Sequence, residues 1–125
     1  MAVAVSGFGV HNGQRVDQFR LTSDTGVSVD IIGYGVVVRD WRVPVAGGER
    51  SVVLGFDQFE AYPAHSPHFG SLAGRVANRI KNASFELDGV TYQLPANAGD
   101  LQLHGGEEGL GRQVWQGQID SANNA

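Results

Sequence analysis

Phe85-Glu-Leu-Asp-Gly-Val-Thr-Tyr-Gln-Leu94 holds a whole β-hairpin in one stretch of sequence. Asp88-Gly89 is the residue pair of a two-residue type I′ turn, whose central positions both need positive φ. A loop of that length sets Leu87 opposite Val90, Glu86 opposite Thr91 and Phe85 opposite Tyr92. The pleat then places Phe85, Leu87, Val90 and Tyr92 on one face and Ser84, Glu86, Thr91 and Gln93 on the other. Turn chemistry and apolar pattern agree on one register.

The same grammar runs upstream. Eighteen glycines against four prolines, spread along 125 residues, suit frequent turns between short strands and point to an all-β chain. Met1-Ala-Val-Ala-Val-Ser-Gly7 reads as an ordinary N-terminus without the basic region or apolar core of a signal peptide. Two glycines and an Asn follow between residues 8 and 13, and Gln18-Phe-Arg-Leu-Thr22 alternates like a first strand. Ser23-Asp-Thr-Gly26 turns the chain into Val27, Val29 and Ile31, which alternate with Ser28 and Asp30 as the second arm of a hairpin. Gly33-Tyr34-Gly35 interrupts, residues 36–43 resume as a strand ended by Pro44, and Ser51-Val-Val-Leu54 returns after a turn at Ala46-Gly-Gly-Glu49. A meander is expected. Asp57-Gln-Phe-Glu-Ala-Tyr62 hints at one helical turn. Pro63 and Pro67 bound a loop carrying His65 and His68, Val114-Trp115 begins a further strand, and residues 121–125 form a tail with little to pack.

A 125-residue chain accommodates one domain. Its 42% apolar and 18% charged content is that of a folded protein, and no apolar run approaches the length of a membrane span. A net charge of −4 disfavours nucleic acid as a partner. Without cysteine there is no disulfide framework, thiol nucleophile or thiolate metal site, and the cytoplasm is the default compartment.

Chemistry concentrates in two places. Arg75, Asn78 and Arg79 beside a glycine-rich turn offer donors in fixed geometry, suited to an anion or a polyhydroxylated ligand. The plain alternative is an arginine pair on a solvated strand edge. His104 precedes Gly105-Gly106, where missing side chains let a ligand or another backbone approach the imidazole; the alternative is a structural loop histidine. His65 and His68 form an H-x-x-H pair, but with a proline between them and no carboxylate on a helical face a metal site is disfavoured. Gly33-Tyr34-Gly35 lacks the strand–helix context of a nucleotide fingerprint, and Glu107-Glu108 in a glycine-rich loop suits solubility better than glycosidic cleavage.

Taken in order, Val53-Leu-Gly-Phe-Asp57, His68-Phe-Gly70, Gly74-Arg-Val-Ala-Asn-Arg-Ile80, the hairpin with Asn97 after it, and Leu103-His-Gly-Gly106 with Trp115 resemble the motifs of the aldose 1-epimerases, the galactose mutarotase family. The resemblance covers residues 19–117. It implies an antiparallel β-sandwich of galactose-mutarotase type, with residues 1–125 as the N-terminal portion of one such domain. It implies a hexose such as galactose or glucose in an open cleft, its anomers interconverted by acid–base ring opening, and no metal or organic cofactor. Asn78 and Arg79 match the sugar-contacting pair. His104 matches the first of two active-site histidines, at the ring-oxygen side, which makes His104 and Arg79 the catalytic candidates.

The family's second histidine, a sugar-binding aspartate and the glutamate base belong to a C-terminal portion that follows Trp115. This chain is therefore expected to supply part of a site, and whether it acts alone as an enzyme stays open. Three readings remain: a piece of an enzyme, one half of a split enzyme, or a non-catalytic carbohydrate-binding or interaction module. A half-sandwich leaves edges and core faces uncovered, so a homo-oligomer or a complementing C-terminal chain is expected as partner.

Overall fold

The computed structural model describes residues 1–65 and 68–120. Strands β1 (Ala2–His11), β2 (Gln14–Thr22), β3 (Ser28–Ile32), β4 (Val37–Val45) and β5 (Gly48–Ser51) form an antiparallel meander in sequence order. A single-turn helix, α1 (Ala61–His65), follows. Then β6 (Arg79–Ile80) pairs with β9 (Gln102–Leu103), and β7 (Ser84–Leu87) with β8 (Val90–Gln93), all antiparallel.

The β7–β8 hairpin has the register read from its turn, with Phe85 opposite Tyr92 and Leu87 opposite Val90. Asp88 and Gly89 take φ of 52° and 75°. Its apolar face stays uncovered among the described residues: Phe85 stacks on Tyr92 at 5.2 Å while Leu87 and Val90 are exposed.

Five local expectations are corrected. Gln18-Phe-Arg-Leu-Thr22 is not the first strand, because β1 precedes it and turns into β2 at Asn12-Gly13, with φ of 48° and 77°. The alternation of β1 is interrupted by a register shift between Gly7 and Gly9, and Gly9 is a glycine for packing: a Cβ there would strike the Phe59 ring. Pro44 lies inside β4, opposite Glu49; β3 stops pairing with β4 at Arg42, so beyond it one edge of β4 is open and a missing N–H costs little. The returning strand is the polar Gly48–Ser51, since a two-residue loop at Ala46-Gly47 pairs Val45 with Gly48, and Leu54 is left exposed. The helical turn begins at Ala61, which puts Pro63 and His65 in α1, while Pro67 and the tail at 121–125 lie outside the described residues. Val114 makes a single bridge to Tyr34 in place of a strand.

One sheet face carries the core. Val16, Ile32, Tyr34, Val37, Phe59 and Tyr62 are buried there, with Phe8, Phe56 and Val114 against them. Phe59 meets Phe8 and Tyr34 edge-on at 6.4 and 5.6 Å, geometries that suit the aromatic quadrupole. Tyr62 is fully buried; its hydroxyl accepts from the Phe56 amide at 2.9 Å and donates to the Phe56 carbonyl at 3.3 Å. Farther along the same face the packing turns polar. Asp30, 2% exposed, takes two 2.6 Å hydrogen bonds from Arg20, which raise the Arg20 pKa. Burial pushes the Asp40 carboxyl up, but hydrogen bonds from Ser51 and Arg42 outweigh it and leave its pKa lowered. The polar side of the β3 alternation is thus a buried ion-pair layer.

On the opposite face the chain around 115–119 crosses Val3, Phe19, Leu21 and Ile31, leaving an apolar cavity of about 290 Å³. Gly33-Tyr34-Gly35 is the junction from which this crossing and the site segment both depart. Trp115 N donates to Gly33 O, Gly35 N to Gln113 O and Leu72 N to Gly35 O, each at 2.8 Å. Neither glycine has room for a Cβ, which would meet the carbonyls of Trp115 and Gly111 respectively.

Tyr62→Phe removes the acceptor of the Phe56 amide without opening a cavity. It is expected to cost about 1–3 kcal/mol, read as a lowered urea midpoint with an unchanged slope.

Candidate functional site

The Arg75-Val-Ala-Asn-Arg79 segment and Leu103-His104 meet where β6 and β9 pair, Arg79 opposite Leu103 and Ile80 opposite Gln102. Two residues per strand make a weak ladder, and side chains reinforce it. Asn97 clamps Leu103 from both sides, accepting from its amide at 2.7 Å and donating to its carbonyl at 3.1 Å. Gln102, nearly buried, donates to the Pro95 carbonyl at 3.1 Å.

At the open end of the pair stand Asn78 and His104, with φ of 64° and 51°. Asn and His are among the side chains that tolerate the left-handed region best. The His104 amide donates to the Asn78 carbonyl at 2.9 Å, and the Asn78 amide donates to His104 Nδ1 at 3.0 Å. Arg79 Nη1 donates to Asn78 Oδ1 at 2.9 Å. Asn78, Arg79 and His104 are therefore one hydrogen-bonded cluster, Asn78 and Arg79 exposed and His104 half-buried.

This arrangement fixes the histidine tautomer. A backbone N–H can only donate, so Nδ1 is the acceptor and the ring proton of neutral His104 sits on Nε2. The cluster offers an imidazole N–H and a guanidinium fork, each tied to Asn78, as donors for hydroxyl or anionic oxygen atoms.

The glycines after His104 serve the backbone. Gly105, at φ 94°, presses on the Gly74 carbonyl where a Cβ would collide, and that carbonyl accepts from Leu110 N at 3.1 Å. Of the two uses open to those glycines, Gly105 shows the approach of another backbone, while Gly106 lies against the Gln102 side chain. Arg75 is not joined to the cluster by any described hydrogen bond; it borders a neighbouring groove with Val76, Ile80 and Phe85. Glu107 pairs with Arg112 at 2.9 Å. Among the described residues no three His, Cys, Asp or Glu side chains come together as a metal site. His68, read from spacing as half of an H-x-x-H pair, instead sets its ring against His104 at 4.7 Å. That contact spans a long stretch of sequence and left no local signal.

Neither the apolar cavity under residues 115–119 nor the polar cleft of about 360 Å³ bounded by Arg20, Asp40, Arg42 and Glu49 includes any of the three clustered residues. The first is the unfilled part of a core face, and in the second every arginine has a carboxylate partner nearby.

An antiparallel β-fold with an open, donor-rich cluster at a short strand pair is the class that the fold and cluster define. Within that class the chain belongs to the aldose 1-epimerase family, whose model matches residues 17–125. It is 43% identical over 105 residues to a galactose mutarotase of Bos taurus, which covers 83% of this chain and 30% of that protein. It is 34% identical over 106 residues to an aldose 1-epimerase of Escherichia coli, covering 84% of this chain and 31% of that one. Among solved structures, a GalM/aldose epimerase homologue from C. elegans superposes with a TM-score of 0.75 at 31% identity, over 82% of this chain and 32% of that chain. A galactose 1-epimerase from Lactobacillus acidophilus shares the fold, with a TM-score of 0.79 at 24% identity over 96% of this chain and 35% of that one. The chain spans about 30% of the length of the curated relatives it matches.

Asn97→Ala leaves the Leu103 amide and carbonyl without their clamp. A loss of about 1–3 kcal/mol is expected, with faster amide exchange at Leu103 and His104 than in the β1–β2 hairpin.

Proposed function

We propose that this chain is the sugar-holding portion of a mutarotase site for a hexose such as galactose or glucose. The observation that supports this reading is the linked cluster of Asn78, Arg79 and His104. A hexopyranose is neutral and dense in hydroxyls, so it is recognised by donors and acceptors of fixed direction more than by net charge. Arg79 holds Asn78 Oδ1 in place and has further N–H groups for sugar oxygens. The Nε2–H of His104 is assigned to the ring oxygen.

Anomer exchange needs a base to take the C1 hydroxyl proton and an acid to protonate the ring oxygen as the C1–O bond breaks. Rotation about C1–C2 then lets the ring close on the other face. A donor already aimed at the ring oxygen stabilises the negative charge that builds there during bond breaking, at no cost of reorganisation. His104 and Arg79 suit that role. The proton-transferring carboxylate and second histidine are assigned to polypeptide beyond these 125 residues, in line with the share of each relative that is matched. Residues 1–125 then form the N-terminal portion of one sandwich domain, completed by a complementing chain, by continuing polypeptide or by a second copy. The exposure of Leu54, Leu87, Val90 and Tyr92 supports a surface awaiting cover.

Two measurements on the 125-residue chain test the proposal. Saturation-transfer NMR is expected to detect galactose at millimolar concentration, with binding about three- to tenfold weaker in Arg79→Ala and in His104→Asn. Asparagine keeps an acceptor for the Asn78 amide and suits positive φ, so His104→Asn removes the Nε2–H while sparing the turn. Polarimetry of fresh α-D-galactose is expected to follow the buffer rate. Absence of binding contradicts the sugar-holding role, and acceleration by the chain alone contradicts the placement of proton transfer elsewhere.

A further inference from the structure

His68 stands outside the Asn78–Arg79–His104 cluster, yet its ring lies against the His104 ring with centroids 4.7 Å apart and planes tilted by 59°. It is held there from the sheet. Phe69 stacks on Phe56 at 5.7 Å, nearly parallel, and the Gly70 carbonyl accepts from Val38 N of β4 at 3.0 Å. Gly70 has φ 58°, and a Cβ on it would sit 2.5 Å from the Val38 carbonyl oxygen, so this anchor requires glycine. Two residues on, Leu72 N donates to Gly35 O at 2.8 Å. The segment that delivers His68 is thus tied to β4 and to the β3–β4 connection.

Consider what fixes the His104 ring. Its Nδ1 edge is pinned by the Asn78 amide, but one hydrogen bond sets an edge and leaves the plane free to rock, because the terminal torsion of histidine is broad. A second ring packed against it restricts that freedom. His68 is suited to this as a neutral ring: burial first, then the neighbouring His104 and Arg112, lowers its pKa. Of these, Arg112 is itself paired with Glu107.

We infer that His68 is a positioning residue of the candidate site: it sets the plane of the His104 ring and thereby the direction of its Nε2–H. For the identity of the ligand this rests on the sugar-holding reading; for the ring geometry it does not. What His68 contributes is a ring in contact with His104, so His68→Phe supplies it and His68→Ala does not.

The test is histidine side-chain ¹H–¹⁵N NMR on the whole chain, without ligand and then with galactose. Wild type and His68→Phe are expected to show His104 as a single Nε2–H tautomer with sharp ring signals, and to bind galactose within about twofold of each other. In His68→Ala the His104 signals broaden and shift, and binding weakens about three- to tenfold, the range of coupling between side chains in contact. His104→Asn is expected to raise the titration midpoint of His68, since one cause of its lowering is gone. The inference is overturned if His68→Ala leaves the His104 signals unchanged, or if His68→Phe is as impaired as His68→Ala. If wild type binds no galactose, the sugar-holding reading fails, and the unliganded ring signals still decide for or against the role of His68.

Discussion

Asn78 and His104 exchange two hydrogen bonds, amide to carbonyl in one direction and amide to imidazole in the other, at the point where a strand pair two residues long gives out. Both backbones are in the left-handed region there, so each chain turns away from the pair while its side chain stays at the mouth. This exchange determines the site. It holds Asn78, whose carboxamide Arg79 grips, and selects the tautomer of His104, which leaves the Nε2–H as a donor. Direction is what the exchange provides.

The support comes from a distance. The segment before the cluster leaves the sheet at Gly35 through Leu72, and the segment after it returns through Gln113 to Gly35 and through Trp115 to Gly33. Both glycines are closed to side chains by carbonyl oxygens, so the two excursions are locked to one point between β3 and β4. That point rests on the buried rings of Tyr34, Phe59 and Tyr62. The hydrophobic core therefore positions the cluster through a short backbone junction.

Sequence reasoning saw local chemistry well. Asp88-Gly89 and the alternation around it suffice to define β7–β8, since turn type and register there depend on no distant contact. Asn12-Gly13 carries the same signal, but the alternation of β1 is broken by a register shift between Gly7 and Gly9, and Gly9 answers to the Phe59 ring packed above it. The buried Asp30 reads as an outward polar position until Arg20 is seen folding over it. Residue type singles out Asn78, Arg79 and His104 but leaves solvated arginines and a structural histidine as alternatives, and motif resemblance is what selects the sugar-contacting reading. The contact of His68 with His104 was not legible at all, being set by the packing of Phe69 and Gly70 on other elements.

The central claim is that the Asn78–Arg79–His104 cluster is where this chain meets its ligand. Chemical-shift mapping of the uniformly ¹⁵N-labelled chain during a galactose titration addresses it most directly, because every amide and the Arg79 and His104 side chains report at once. The account predicts saturable shifts centred on Asn78, Arg79, Leu103 and His104, with the Arg20–Arg42 cleft silent. Shifts confined to that cleft or to the cavity beneath Trp115, or no saturable shift anywhere, would contradict it.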